Sequence, residues 1–373
     1  MQLVEGAHAS THVYSDDAEQ YALAQVKMIC DNPAAAGSRI CVMPDVHPGK
    51  MGPVGLTMTV GDRVLPGLVG VDIGCGVTVA KVRAKRLELP KVDAVVRDRV
   101  PAGFSARTQA HRFFDDIDLG ELACAKGVRR DKAALSLGTL GGGNHFIEVD
   151  KGEDGSLYVA VHSGSRHLGV EVAEHYLRRG QEALRARGEE VPYEMTYLDG
   201  ELLAGYLHDM GVVCEYAALN RRAMIDELTR GLKWKVEEVV ESVHNYIDTA
   251  AERPMLRKGA IAAAAGERVV VPLNMRDGII MGRGLGNEAW NGSAPHGAGR
   301  RFSRDEVKNH YTVSSFKAAM KGVYSSCIDK GTLDESPFAY RDAKVIQMAI
   351  GETVEVDEVL KPLYSFKAGN AKG

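Results

Sequence analysis

Short apolar runs, separated by glycine, proline and aspartate, are the main pattern in the N-terminal third of the chain. Such runs, rich in β-branched side chains, predict strands at 39–43, 55–60, 77–82, 146–149, 157–161 and 268–273. Apolar residues recur at helical spacing over 169–187 and again from Leu202 to Met224, which predicts two helices. Strand groups that alternate irregularly with helices indicate an α+β fold, with mixed or antiparallel sheets flanked by helices.

The chain shows no linker and no abrupt change of composition, so we expect one large domain over residues 1–373. Its 373 residues are 45% hydrophobic and 26% charged, which is ordinary for a globular protein with a sizeable core. The formal net charge of −4 argues against a protein that coats nucleic acid through bulk positive charge, but it leaves room for a local basic patch.

Export and membrane insertion are not indicated by the sequence. The N-terminal segment carries several charged side chains and no apolar stretch of the kind a signal peptide needs. No apolar run is long enough for a membrane span, so we expect a cytoplasmic protein without membrane association. The six cysteines are scattered without a paired spacing and should be free thiols in that compartment.

Five side chains with metal-ligand chemistry lie in glycine-rich turns or at the ends of predicted strands. They are Asp72, Cys75, His145, His162 and His244. Together these side chains, a carboxylate, a thiolate and three imidazoles, could hold two divalent ions if the thiolate bridges them. Two such ions can clamp the attacking and leaving oxygens of a phosphoryl transfer. Thiolate and imidazole favour zinc whereas carboxylate suits manganese, so the residues alone leave the metal open. Each histidine taken singly is more commonly structural.

A possible nucleophile stands in a second glycine-rich segment. His296 is followed by small residues, so its ring could approach a phosphorus atom, and Arg300 and Arg304 could neutralise phosphate charge. Backbone amides of 138–143 and 297–299 could bind phosphate as anion nests. A turn that carries a solvated histidine fits the local sequence equally well, and His47 in its proline-flanked loop remains ambiguous.

Ten short segments, taken together and in order, resemble the RtcB family of RNA-splicing ligases. They are MPDVHPGKMGPVG (43–55), VGVDIGCGV (69–77), LGTLGGGNHFIEV (137–149), VHSGSRHLG (161–169), LNRRAM (219–224), HNY (244–246), RKGA (257–260), RGLGNE (283–288), HGAGR (296–300) and the terminal Lys372-Gly373. Each segment is a loose pattern, but the ordered set is specific.

The resemblance implies an RtcB-like fold and a ligase that joins an RNA 3′-phosphate or 2′,3′-cyclic phosphate to a 5′-hydroxyl, in RNA repair or tRNA splicing. In the family, GTP and manganese guanylylate a histidine, here His296. GMP then passes to the RNA 3′-phosphate, which gives an RNA-(3′)pp(5′)G intermediate, and the 5′-hydroxyl displaces GMP. The implied partners are GTP, two manganese ions, RNA with these ends and, as a further candidate, an activating protein.

The resemblance also implies individual roles. Cys75 would bridge the two manganese ions, with His162 and His244 on one ion and Asp72 and His145 on the other. Glu148 would accept hydrogen bonds from guanine N1–H and the N2 amine, and Lys372 would donate to O6. Arg166 and Arg300 would bind the RNA 3′-phosphate. The residues implied for the nucleotide site are Asn144, Glu148, His244, Asn245, Pro272, Leu273, Asn274, Met275, His296, Gly297, Ala298, Gly299 and Lys372.

Three departures from the family pattern indicate a divergent branch, and 373 residues is short for the family. The loop Pro272-Leu-Asn-Met-Arg-Asp-Gly278 stands where many members have Pro-Gly-Ser-Met-Gly, Ile279 replaces a nucleotide-contacting serine, and Val243 replaces a histidine. These changes should affect nucleotide affinity and RNA preference. Two other hypotheses remain: a two-metal phosphohydrolase that acts on nucleotide or RNA ends without guanylylation, and a non-catalytic module that holds RNA ends.

Overall fold

The computed structural model describes residues 2–16, 18–251 and 253–369. The helices are α1 Gln20–Cys30, α2 Pro66–Val69, α3 Leu89–Arg99, α4 Arg130–Ser136, α5 Arg166–Ala186, α6 Gly200–Leu232, α7 Arg304–His310, α8 Val313–Ala319 and α9 Ala343–Ile350. The strands are β1 Gln2–Glu5, β2 Ser10–Val13, β3 Ile40–His47, β4 Val54–Thr59, β5 Arg63–Val64, β6 Gly76–Arg83, β7 Phe146–Lys151, β8 Leu157–Ser163, β9 Leu198–Asp199, β10 Lys235–Val243, β11 Asn245–Asp248, β12 Met255–Lys258, β13 Ala260–Ala262, β14 Arg268–Asn274, β15 Gly278–Gly284, β16 Ser293–Pro295 and β17 Val354–Phe366.

Two main sheets carry the architecture. One has the order β1-β2-β3-β4-β12-β11, in which β2 and β3 are parallel and the other pairs are antiparallel. The other has the order β10-β6-β8-β7-β17-β15-β14 and is antiparallel throughout. Helices cover these sheets, which confirms the predicted α+β class with mixed and antiparallel sheets.

The predicted elements are present with shifted ends. The six predicted strands correspond to β3, β4, β6, β7, β8 and β14. The two predicted helices correspond to α5 and to the longer α6, whose apolar side packs against α5, β6 and β8. Buried side chains of α6 belong to two apolar clusters, one beside each main sheet, so this helix joins the two halves of the core. None of the described helices is long and apolar enough to cross a bilayer.

One buried carboxylate in the larger sheet has no hydrogen-bond partner among the described residues. Asp150 on β7 is fully buried and both of its side-chain oxygens lack a partner. Burial, and then the neighbouring Glu148, raise the pKa of Asp150 well above its ordinary value. Above about pH 4 the folded protein therefore still holds the Asp150 proton that the unfolded chain has released. For this reason the free energy of unfolding must fall as the pH rises from about 4 towards the pKa of Asp150 in the folded protein.

We expect Asp150→Val to raise the free energy of unfolding by about 1–3 kcal/mol, because it removes an unpaired buried polar group. The gain should be larger at pH 8 than at pH 5, which urea unfolding at the two pH values would measure. Asp150→Asn is the matched control: it cannot ionise, so it should lose the part of the pH dependence that comes from Asp150 while keeping that of Glu148 and an unpaired polar group. A valine variant less stable than the natural protein at both pH values would contradict this account.

Candidate functional site

Strand register brings four of the predicted metal-ligand segments to one end of the larger sheet. Cys75 immediately precedes β6. His162, on β8, lies opposite Val77 of β6. His145 precedes β7, whose first residue pairs with His162, and His244 follows the end of β10, where Val243 pairs with Gly76. Residues far apart in the sequence therefore meet, because each strand begins at the sheet edge where its antiparallel neighbour ends.

The ligand atoms form two groups that share Cys75. One group is Cys75, His162 and His244, and the other is Asp72, Cys75 and His145; within each, the ligand atoms all lie within 4.8 Å of one another. Cys75 Sγ is 3.3 Å from His162 Nε2 and 3.5 Å from His145 Nε2. Ligand atoms that bind one ion at about 2.0–2.3 Å stand roughly 3–4 Å apart, so the spacing fits two ions bridged by a thiolate.

Hydrogen bonds on the far side of two imidazoles orient them for metal binding. His145 Nδ1 lies 2.8 Å from the Leu140 carbonyl and His162 Nδ1 lies 3.2 Å from the Asn144 carbonyl. Each carbonyl accepts from Nδ1–H, which leaves Nε2 directed at the cluster, as outer hydrogen bonds do for metal-ligating histidines.

Burial sets the protonation of the ligands in the metal-free protein. It lowers the pKa of His162 and His244 well below the ordinary value, which keeps both rings neutral. Burial, and then the charge of Asp72, raise the pKa of the Cys75 thiol. Metal binding must therefore displace a proton from Cys75, as expected for a buried thiolate ligand.

Two polar side chains of α6 hold the loops that carry these ligands. The Arg221 guanidinium is fully buried and donates to the Gly74 carbonyl at 2.8 Å and to the Ser163 carbonyl at 2.9 Å, next to two of the ligands. Asn220 accepts from the Gly138 and Thr139 amides at 2.7 and 3.1 Å. In the sequence these two residues stand out only as part of the segment LNRRAM (219–224), which gives no sign of their positioning role.

His296 lies beside the cluster and is held by a buried carboxylate. Its Nδ1 is 2.9 Å from Asp45 Oδ2, and its ring centroid is 4.8 Å from that of His244. Asp45 is fully buried on β3. Because the carboxylate accepts from Nδ1–H, Nε2 is the ring nitrogen that is free to act as a nucleophile. Gly299 leaves room for Asp45 to approach His296. Its φ of 66° favours glycine, and a Cβ at this position would lie only 2.6 Å from the Asp45 carbonyl oxygen.

Nothing in the sequence pattern marks Asp45 as a site residue. It lies inside the segment 43–55, which was recognised as a family motif without a role for its carboxylate. The role of His47 is open from the sequence alone. Its Nδ1 lies 3.0 Å from the Asp45 carbonyl oxygen, and its side chain lines the cavity described next. Burial lowers the pKa of His47 to about 4, so this ring is neutral.

A cavity of about 200 Å³ opens from His296. Its lining is formed by His47, Asn144, Phe146, Glu148, His162, Pro272, Leu273, Asn274, Met275, Gly278, His296, Gly297, Ala298, Gly299, Arg300, Arg304, Tyr340 and Lys367. Most residues that the resemblance implied for the nucleotide are therefore in one place.

His244, also implied for the nucleotide, belongs to a metal-ligand group and is absent from the cavity lining. Asn245 is absent from the cavity lining; its side chain donates to the Asp72 carbonyl at 3.4 Å and accepts from the Gly259 amide at 3.1 Å. Lys372 lies outside the described residues.

The divergent loop closes as a tight turn between β14 and β15. Asn274 Oδ1 accepts from the backbone amides of Arg276 and Asp277, both at 3.0 Å, and Asn274 Nδ2 donates to Asp277 at 2.7 Å. Ile279, at the position of the missing serine, is fully buried in an apolar cluster with Phe146. The side chain at that position offers the nucleotide no hydrogen bond.

The two arginines implied for RNA phosphate contact different parts of the site. Arg166 lies 3.5 Å from His145 Nδ1, and its guanidinium fills the space where a Cβ of Gly141 would be. Arg300 lines the cavity and is held by Glu335 at 3.2 Å and by the Asp334 carbonyl at 2.7 Å. The six cysteines are unpaired thiols, as predicted.

Comparison with known proteins agrees with these features. The sequence profile described as tRNA-splicing ligase RtcB matches residues 25–123 and 117–368. The RNA-splicing ligase RtcB of Escherichia coli strain K12 is 30% identical over 366 residues, which covers 88% of this chain and 90% of that protein. The chain belongs to the RtcB family.

More distant relatives cover similar shares of the chain. The tRNA-splicing ligase RtcB of Aeropyrum pernix is 28% identical over 403 residues and covers 83% of each chain. The RNA-splicing ligase RtcB of Mycobacterium tuberculosis is 27% identical over 390 residues, with 80% of this chain and 89% of that protein covered. The ranges matched by the family profile, 25–123 and 117–368, include the metal-ligand cluster, His296 and the cavity-lining residues.

Proposed function

We propose that this protein is a GTP- and Mn²⁺-dependent RNA ligase that joins 3′-phosphate or 2′,3′-cyclic phosphate ends to 5′-hydroxyl ends. The observation that supports it most is the arrangement of His296, fixed through Asp45, next to two ligand groups that share Cys75. A two-ion site beside a nucleophilic imidazole suits transfer of a nucleotidyl group. Family membership supports the same assignment.

In the proposed first step, His296 Nε2 attacks the α-phosphorus of GTP. A phosphorus–nitrogen bond forms as the bond to pyrophosphate breaks, and Asp45 stabilises the positive charge that develops on the ring. When bound, manganese ions would supply charge neutralisation at the phosphoryl oxygens. Asp72, Cys75, His145, His162 and His244 would hold them; the carboxylate suits manganese, the thiolate and imidazoles suit zinc, and the choice of manganese rests on the family resemblance.

In the later steps, the RNA 3′-phosphate attacks the His296-bound phosphorus and takes GMP, which frees the imidazole. The 5′-hydroxyl of the second RNA then attacks the 3′-phosphorus and expels GMP. Capping is needed because a phosphate monoester has no good leaving group. Arg166 and Arg300 are the candidates for binding the RNA 3′-phosphate, because a guanidinium matches phosphate geometry.

The proposal is tested with α-³²P-GTP, Mn²⁺ and a pair of RNAs with the required ends. We expect an acid-labile, base-stable protein label that maps to the peptide containing His296, and release of the label as GMP when the RNAs are joined. γ-Labelled GTP is the control and should leave no label on the protein. The two-metal phosphohydrolase would instead be supported if phosphate were released from RNA ends or GTP without any label on the protein. The non-catalytic module would be supported if RNA ends were bound without turnover.

A pH dependence of base recognition follows from Glu148. Burial raises the pKa of Glu148 to about 7. Only the carboxylate form accepts both guanine donors, so binding should be pH-independent above that value and weaken by up to about tenfold per pH unit below it. Binding of guanosine to the metal-free protein at pH 6, 7 and 8 isolates this effect, because guanosine has no phosphate. Glu148→Gln should bind more weakly and lose the pH dependence; equal affinity of the natural protein at pH 6 and pH 8 would exclude this role.

A further inference from the structure

An aromatic side chain near the metal-ligand cluster lies almost entirely in solvent. Phe104, in the segment that follows α3, has an exposed fraction of 94%, the highest of any large apolar side chain in the described part of the chain. Single exposed apolar residues are common on protein surfaces, so exposure by itself assigns no role. What distinguishes Phe104 is the place at which its loop is held.

Backbone hydrogen bonds hold this loop against the glycine-rich segment that carries Gly141. The Leu140 amide donates to the Pro101 carbonyl at 2.9 Å, and the Gly103 amide donates to the Gly141 carbonyl at 2.8 Å. Phe104 is the next residue along the chain, and consecutive Cα atoms are only about 3.8 Å apart. The aromatic side chain therefore starts from a backbone position that is fixed close to Gly141.

Gly141 also borders a cationic group of the site. The Arg166 guanidinium occupies the space where a Cβ of Gly141 would lie, and it stands 3.5 Å from Nδ1 of the candidate metal ligand His145. The guanidinium and the backbone next to Phe104 thus approach the same glycine. An RNA phosphate on this guanidinium would bring the neighbouring bases near the exposed ring.

The chemistry of the loop suits a nucleic acid. Residues 101–110 include no aspartate or glutamate, and Arg107 is their one charged side chain, so the loop carries no charge that repels phosphate. Proteins that bind single strands combine cations along the backbone with aromatic rings on which the bases stack. Arg166 and Phe104 supply one group of each kind. Unpaired bases at RNA ends are available for such stacking.

We propose that Phe104 stacks on a base of the RNA strand whose phosphate is held by Arg166, and so keeps that strand single-stranded next to the metal-ligand cluster. This proposal rests on the proposed function for the RNA and for its phosphate. It adds a contact outside the nucleotide cavity, because Phe104 is absent from the cavity lining. Since every base has an aromatic face, the contact favours RNA over a free phosphate without selecting a sequence.

The test measures binding of a short unstructured RNA that has a 3′-phosphate and a fluorophore at its 5′ end, without GTP so that no turnover occurs. We expect Phe104→Ala to weaken binding by about 5- to 150-fold, the loss that corresponds to one stacked base. Phe104→Trp should bind at least as tightly as the natural protein. Phe104→Leu is apolar but has no flat aromatic face and should bind almost as weakly as the alanine variant. Tyr21→Ala, which removes another exposed aromatic side chain from α1, is the matched control and should bind normally.

Two further measurements identify the contact as stacking. RNAs with one abasic nucleotide are compared, position by position from the 3′-phosphate; where the missing base is the one that stacks on Phe104, Phe104→Ala and the natural protein should bind equally. Stacking releases no counterions, so the fold-loss in Phe104→Ala should stay constant as salt rises, while both proteins lose affinity. Thermal unfolding of the variants should be unchanged, because so exposed a side chain has little packing to lose.

Equal RNA affinity of Phe104→Ala and the natural protein would overturn this inference alone, and it is the result expected if the ring contacts a protein partner instead. Full affinity in Phe104→Leu, or the same loss on every abasic RNA, would also overturn it. If the natural protein binds no RNA with these ends, the proposed function fails and this inference fails with it.

Discussion

Replacing Cys75 with alanine is expected to remove both metal ions and to lower guanylylation by roughly 10³-fold or more, since metal ions supply several kcal/mol of transition-state stabilisation. The reason is geometric: Cys75 Sγ is the one ligand atom common to both groups, 3.3 Å from His162 Nε2 and 3.5 Å from His145 Nε2. Removing a terminal ligand such as Asp72 would impair one group, whereas removing the shared thiolate impairs both. The measurements are the manganese content per chain after dialysis and the yield of labelled protein.

The control for the Cys75 experiment is Cys30→Ala, which removes an equally buried thiol from α1, outside the ligand groups. It should bind two ions and be labelled normally. Thermal unfolding of both variants without metal separates misfolding from metal loss. Retention of two tightly bound manganese ions by Cys75→Ala would contradict the bridging role, even if activity fell.

The sequence predicted the candidate ligands but not their geometry. Each of the five ligands could be selected because a metal-binding side chain lies in a glycine-rich turn or at a strand end. Their convergence depends on strand order and register, such as Val77 opposite His162, which no local pattern specifies. The resemblance supplied the grouping around Cys75, and the distances in the structure agree with it.

Asp45 and Arg221, which no sequence pattern marks as site residues, act through other residues. Asp45 contacts His296 across 251 positions of sequence, and Arg221 reaches the Gly74 and Ser163 carbonyls from the middle of α6. A buried arginine on a helix and an aspartate inside a strand have no distinctive spacing to mark them. Lys367 likewise becomes visible as a cavity residue only when β17 pairs with β7.

Asp45→Asn is expected to lower the rate of His296 guanylylation by about 10³–10⁴-fold while leaving both metal ions bound. A loss of this size is expected when an amide replaces a carboxylate that orients a catalytic histidine. The amide can present its NH₂ to Nδ1, which would place the proton on Nε2 and block the attack on phosphorus. Asp45 belongs to neither ligand group, so metal content should not change.

Comparison of three variants makes the Asp45 prediction specific. His296→Ala should bind two ions and give no label, Cys75→Ala should lose ions and label together, and Asp45→Asn should bind two ions and give label slowly to the same final yield. Single-turnover labelling with α-³²P-GTP over a range of times distinguishes a slow nucleophile from an absent one. A labelling rate for Asp45→Asn within a few-fold of the natural protein would show that the 2.9 Å contact between Asp45 and His296 does not set the reactive tautomer.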